Sequence, residues 1–176
     1  MLQRTRADQV VPVYHNFFQI FQGPEEVARV PQRVLNKILE PLGLRWRFER
    51  FKEASQVLMS RFNGTVPDNR TELKQLPGVG QYISGLVASV AFNRKEWIVD
   101  SNVVRVFERF FGLKTKNESR RDPLIIKTAK KYIQTTKPGE ANLGLVDLGA
   151  LVCKPSSPEQ TSCPVNNKCW KANSDQ

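Results

Sequence analysis

The chain has 176 residues, 40% of them apolar and 25% charged, with 10 glycines and 11 prolines scattered along it. That length holds one substantial domain or two small ones with a sizeable core, and the composition excludes a disordered or fibrous chain. Lys and Arg number 27 against 17 Asp and Glu, a formal net charge of +10 that points to a polyanionic partner. Nucleic acid fits better than membrane, because no apolar run approaches the ~18 residues of a spanning helix and no terminal segment has the order of a signal peptide. The reading is of a soluble intracellular protein, in cytoplasm and nucleoid or in a nucleus.

Helical periodicity dominates and no stretch sustains strand alternation, so an all-α chain of about eight or nine helices is expected. Val10, Val13, Tyr14 and Phe17 form the first apolar stripe, Val34, Ile38 and Leu42 a second, and Phe51, Ala54, Val57 and Leu58 a third. Glycine and proline fall between them, at Gly23-Pro24, Pro41-Leu42-Gly43, Asn63-Gly64, Pro77-Gly78 and Pro138-Gly139. His15, the only histidine, reads as structural.

The most informative segment runs from Glu72 through Leu76-Pro77-Gly78-Val79-Gly80-Gln81-Tyr82 into an apolar helix ending near Phe92, with Ile83, Leu86, Val87 and Val90 as its stripe. Asp68 or Asn69 can cap the helix before the turn. Glycines at 78 and 80 permit positive φ and close approach of a foreign backbone. Amides of Gly78, Gly80 and the following first turn would face outward with the positive end of the helix dipole behind them, an anion site for a nucleic-acid phosphate. Spacing alone is equally met by a plain αα-hairpin.

Next, Asp100-Ser101-Asn102 before Val103 to Phe111 is an N-cap signature. Arg105 and Arg109, one turn apart, read as a salt-bridged or phosphate-facing surface. A polar, Pro-terminated string from Lys114 to Pro123 suggests a crossing between helical layers, followed by helices over Leu124 to Ile133 and Asn142 to Val152. Cys153, Cys163 and Cys169 all lie in the tail. Three clustered thiols are no secreted disulfide framework and point first to metal or iron–sulfur ligation.

Taken together, Leu76-Pro77-Gly78-Val79-Gly80, Met1-Leu2-Gln3-Arg4-Thr5, Gly43-Leu44 with Arg47, Val99-Asp100-Ser101-Asn102-Val103-Val104-Arg105-Val106 and Asn142 to Ala150 before the cysteines resemble the helix-hairpin-helix base-excision DNA glycosylases, the superfamily of endonuclease III. The resemblance covers almost the whole chain. It implies two helical subdomains with an active-site cleft between them: a helical barrel over residues 1–113 with the helix-hairpin-helix at about 70–92, and a C-terminal subdomain over 114–176 with an iron–sulfur-type loop at 153–169.

It also implies residue roles. Asp100 stands where the family keeps its catalytic aspartate, suited to offsetting positive charge on the sugar and to orienting water. Tyr82 borders the pocket. Lyases of this family have a lysine there and adenine glycosylases a serine, whereas tyrosine matches the thymine mismatch glycosylases. Gln3, Arg4, Leu76, Gly78, Val79, Gly80 and Gln81 would contact DNA. Cys153, Cys163 and Cys169 keep the register of the family's cluster loop, but Gln160 stands at the fourth cysteine. The alternatives are an incomplete or labile 4Fe-4S cluster, one with a recruited ligand, or a loop without metal; a cluster is expected. A monovalent cation at the hairpin is implied too.

The expected function is removal of thymine or uracil opposite guanine from double-stranded DNA by a monofunctional, monomeric glycosylase. The alternative is an adenine glycosylase of A/G or A/8-oxoguanine mispairs, weakened by Tyr82 and because the chain starts inside the Met-Leu-Gln segment, after the position of that group's base-protonating glutamate. A non-catalytic DNA-binding module is the third reading.

Overall fold

A computed structural model describes residues 1–2, 4–115 and 119–174. They form α1 (Ala7–Ile20), α2 (Pro24–Arg29), α3 (Gln32–Leu39), α4 (Phe48–Phe62), α5 (Arg70–Leu73), α6 (Gln81–Phe92), α7 (Ser101–Phe111), α8 (Pro123–Tyr132), α9 (Pro138–Asp147) and α10 (Trp170–Ser174), with no strand among the described residues. Short 3₁₀ turns join several of these, and a π-helical turn, Leu148–Val152, follows α9. The all-α architecture is as the periodicity requires.

The chain divides into two compact units: Met1–Pro67 with Glu72–Val79, and Asp68–Thr71 with Gly80–Gln176. This division falls at the hairpin rather than after Leu113, because α7 shares its core with α8, with α9 and, through Tyr82 and Leu86, with α6.

In the first unit Val10, Val13, Phe17 and Phe21 pack with Val27, Leu35, Leu39, Leu42 and Phe48. The first stripe is displaced at one position, since Tyr14 is exposed, its ring tilted against Phe18 with centroids 4.7 Å apart. In α3 the inward face is Leu35 and Leu39, while Val34 is exposed. Leu42 is buried from a 3₁₀ turn set by Pro41, so it does not continue the α3 stripe. Gly43 (φ 64°) and Leu44 (φ 53°) then reverse the chain. Arg47 is buried behind that turn, donating from Nη2 to Thr5 Oγ1 at 2.5 Å and to the Leu42 carbonyl at 2.7 Å, which ties the N-terminal segment down. Burial lowers its pKa below the usual guanidinium value.

In the second unit Ile98, Val99, Val103, Val104, Val106 and Phe107 pack with Ile125, Ala129 and Leu145. α6 is the exception to the stripe rule: its buried face is Ser84, Gly85, Ala88 and Ser89, and Val90 is exposed. The cause is close approach of backbone. A Cβ on Gly139 of α9 would lie 2.9 Å from the Ser89 carbonyl oxygen, and one on Gly85 would lie 2.3 Å from that of Trp97. Small residues alone permit such contacts, and the two hydroxyls bond the helix itself, Ser84 Oγ to Gly80 O at 2.9 Å and Ser89 Oγ to Leu86 O at 3.1 Å.

Candidate active site

Asp100 caps α7. Its Oδ1 accepts from the Val103 amide at 2.8 Å and its Oδ2 from Asn102 Nδ2 at 3.2 Å. Asn102 is held in turn by Arg105, whose Nη2 donates to Asn102 Oδ1 at 2.9 Å and to the Gly149 carbonyl at 2.6 Å, while its Nε donates to the Cys153 carbonyl at 2.8 Å. The carboxylate therefore has two fixed donors, and the second is anchored to the cysteine loop. Arg109 turns the same way, onto the carbonyls of Lys154 (2.6 Å) and Pro155 (2.8 Å). Among the described residues neither arginine forms the salt bridge that its charge suggested; backbone carbonyls of an irregular loop take both guanidinium groups.

Tyr82, on the first turn of α6, is half-buried and packs against the core that includes Ile98 and Val99. Burial, and then the negative charge of Asp100, push its phenol above the ordinary value. The structure thus brings Tyr82 and Asp100 within electrostatic reach. A phenol beside the carboxylate can wall a pocket and stack on a base.

The start of α6 is an open donor set. No side chain caps the helix, and the amides of Gly80, Gln81 and Tyr82 have no acceptor among the described residues. Gly80 and Gln81 are exposed, and a Cβ on Gly80 would meet nothing within 4 Å. In the first unit, the turn before it is closed by Leu76 N–H to Leu73 O (3.1 Å) and Val79 N–H to Leu76 O (3.0 Å). Gly78 is exposed at φ 84°, which a side chain would strain. Leu76 is buried and both of its backbone groups are used, so it anchors the turn rather than facing a ligand. Val79 likewise spends its amide inside the turn. Arg4 is exposed at φ 57°; Gln3 lies outside the described residues.

The three cysteines line one cavity of about 40 Å³, together with Gln160, Arg109 and Lys171. Arg109 Nη1 donates to Cys153 Sγ at 3.4 Å, and Cys169 Sγ donates to the Arg109 carbonyl at 3.5 Å. Among the described residues no three Cys, His, Asp or Glu side chains converge on a single metal ion. Three soft thiols and one amide line the cavity, the donor chemistry that thiolate-bound iron uses. His15 is exposed, its ring edge-on to Tyr14, and lies in the other unit.

Residues 1–134 match the HhH-GPD superfamily base excision DNA repair protein family, and the chain belongs to that family. It is 33% identical over 170 residues to a thymine/uracil-DNA glycosylase of Methanothermobacter thermautotrophicus, an alignment covering 96% of this chain and 77% of the relative. Among solved structures it superposes on a thermostable thymine-DNA glycosylase with TM-score 0.90 and 31% identity, over 98% of this chain and 80% of that one. A trapped covalent intermediate of endonuclease III with DNA gives TM-score 0.82 at 26% identity, over 99% and 81%. No helix of the described residues is long and apolar enough to cross a membrane.

Proposed function

We propose that the protein is a monofunctional, monomeric DNA glycosylase that removes thymine or uracil opposite guanine from duplex DNA. The observation that carries the reading is Tyr82 within electrostatic reach of Asp100: the first turn of α6 presents a phenol there, which forms no imine, so the reading takes water as the nucleophile. Two of the similar proteins named above are a thymine/uracil-DNA glycosylase and a thymine-DNA glycosylase, in keeping with it.

Open amides at Gly80, Gln81 and Tyr82 grip a backbone phosphate, and a net charge of +10 supplies the rest of the attraction. The target nucleotide leaves the stack and its base enters a pocket bordered by Tyr82. As the bond from C1′ to the base breaks, its electron pair leaves with the base and positive charge grows on the sugar. Asp100, held by Val103 and Asn102, offsets that charge. Water then bonds to C1′ and gives its proton to the carboxylate, which releases it to solvent as the departed base anion takes a proton from solvent, leaving an abasic site in an intact strand.

Cys153, Cys163 and Cys169, with Gln160 beside them, would hold an iron–sulfur cluster, which would tie the loop together. Base release does not run through it. Anaerobically prepared protein should carry iron and sulfide; background iron would remove the cluster from this reading. The monovalent cation expected at the hairpin predicts tighter duplex binding in potassium than in tetramethylammonium at equal ionic strength.

The deciding experiment uses duplexes with T·G, U·G, A·G or A·8-oxoguanine pairs, with and without alkali. Cleavage of T·G and U·G strands only after alkali is expected. Excision confined to adenine would favour the adenine-glycosylase alternative, and no excision of any base the binding-module reading.

A further inference from the structure

Arg70 makes more contacts than an ion pair needs. Its Nε donates to Glu96 Oε2 at 2.6 Å, its Nη1 to the Gln81 carbonyl (3.4 Å) and Gln81 Oε1 (3.2 Å), and its Nη2 to the Trp97 carbonyl, while its carbon lies 4.3 Å above the Trp97 ring. The side chain is only 13% exposed. Gln81 opens α6, where the free amides stand, and Trp97 precedes Asp100 by three residues.

The segment between them, residues 93–99, is irregular and borrows its support from side chains. Asn142 Nδ2 donates to the Glu96 carbonyl at 2.9 Å, Arg94 pairs with Asp68, and Arg70 takes the Trp97 carbonyl. Gly85 confirms how closely the parts fit, since a Cβ there would lie 2.3 Å from Trp97 O and 2.6 Å from Arg70 Nη2. A planar fork can serve Gln81, Trp97 and Glu96 at once; an ammonium is a single point.

We propose that Arg70 is a positioning residue that braces the phosphate-gripping start of α6 against the segment carrying Asp100, so that binding and the catalytic carboxylate share one frame. This rests on the glycosylase reading above. It also assigns Gln81 a defined orientation: with Oε1 turned to Arg70, its amide NH₂ is left to face a phosphate.

The test uses the full chain with Arg70→Gln, Arg70→Lys and Glu96→Gln, each scored per folded molecule by circular dichroism. Single-turnover excision from a U·G duplex is measured at saturating enzyme, and affinity on an abasic duplex. Arg70→Gln should lower the rate about 10- to 100-fold while changing Kd less than about threefold, because a displacement near 1 Å at the carboxylate is costly. Arg70→Lys should recover part of the rate, and Glu96→Gln, which spares both carbonyl contacts, should keep it. In an Asp100→Asn background Arg70→Gln should subtract less than about twofold, as expected for a residue acting through Asp100. An unchanged rate, or the full penalty in that background, would overturn the proposal.

Amide exchange separates it from the glycosylase reading. Abasic DNA should protect residues 80–83 and 97–100 in the wild type but only 80–83 in Arg70→Gln. If the wild type excises nothing yet shows this difference, the glycosylase reading fails and the brace stands. If excision occurs and both proteins show the same protection, the brace fails alone.

Discussion

Gly85→Ala tests the packing on which the site rests. In an ordinary helix interior this change gains about 1 kcal/mol from backbone entropy. Here the new Cβ would start 2.3 Å from Trp97 O, and opening that contact even to 3.0 Å takes a shift of about 0.7 Å by backbone atoms on one side or the other. Overpacking of this kind costs about 1–3 kcal/mol, and the contact with a carbonyl places it at the upper end, so a net loss of about 1–2 kcal/mol remains after the helix gain. For a chain of this length that lowers Tm by about 2–8 °C. Activity should suffer more than stability, because the displaced carbonyl precedes Asp100 by three residues; single-turnover excision per folded molecule should fall at least tenfold. Melting by circular dichroism beside a U·G excision assay reads both. A variant as stable as the wild type that excises at the wild-type rate would refute the close approach of α6 and the 93–99 segment.

Asp100→Asn should keep the α7 cap, with stability within about 1 kcal/mol, and keep duplex affinity within about threefold, yet lose about 10²-fold or more in excision. Tyr82→Lys should gain borohydride-trappable complex with DNA, since an amine near the sugar can form the imine that a phenol cannot; a variant that excises base yet never traps would place residue 82 away from C1′. Folding favours the protonated Tyr82 phenol, so its contribution is intact at neutral pH and is lost as pH rises above ~10; Tyr82→Phe should flatten that alkaline fall in Tm. Asp68 behaves oppositely, because its hydrogen bond from Arg94 holds the carboxyl below its ordinary value: its contribution is lost as pH falls below ~4, and Asp68→Asn should flatten the acid limb.

The first-unit helices were legible because large apolar residues at helical spacing do point inward, as Val10, Val13 and Phe17 show. Beyond Tyr14, Val34 and Leu42, the errors fall where the neighbour is not apolar. On α6 the branched residues give only part of the inward face: Leu86 packs on the core, but the fully buried positions are Ser, Gly and Ala, small enough to meet backbone at Trp97 and Gly139, and Val90 is exposed. Hydrophobicity along one sequence carries no record of how near another backbone comes. Arg105 and Arg109 were misread for a related reason: their partners are carbonyls at Gly149 and Cys153 to Pro155, far along the chain in a loop without periodicity.

The same geometry lets one aspartate serve two roles. The cap at Asp100 consumes one lone pair of Oδ1 and leaves the residue half-buried. The second oxygen is oriented by Asn102, which Arg105 fixes to the loop at Gly149 and Cys153. An acid that must face charge appearing only in the transition state gains from being unable to turn toward water beforehand, and the cap supplies that restraint. Asn102 was therefore the missed residue with a readable signal: an amide two positions after a capping aspartate, and three before an arginine, can bridge the two on one helical turn.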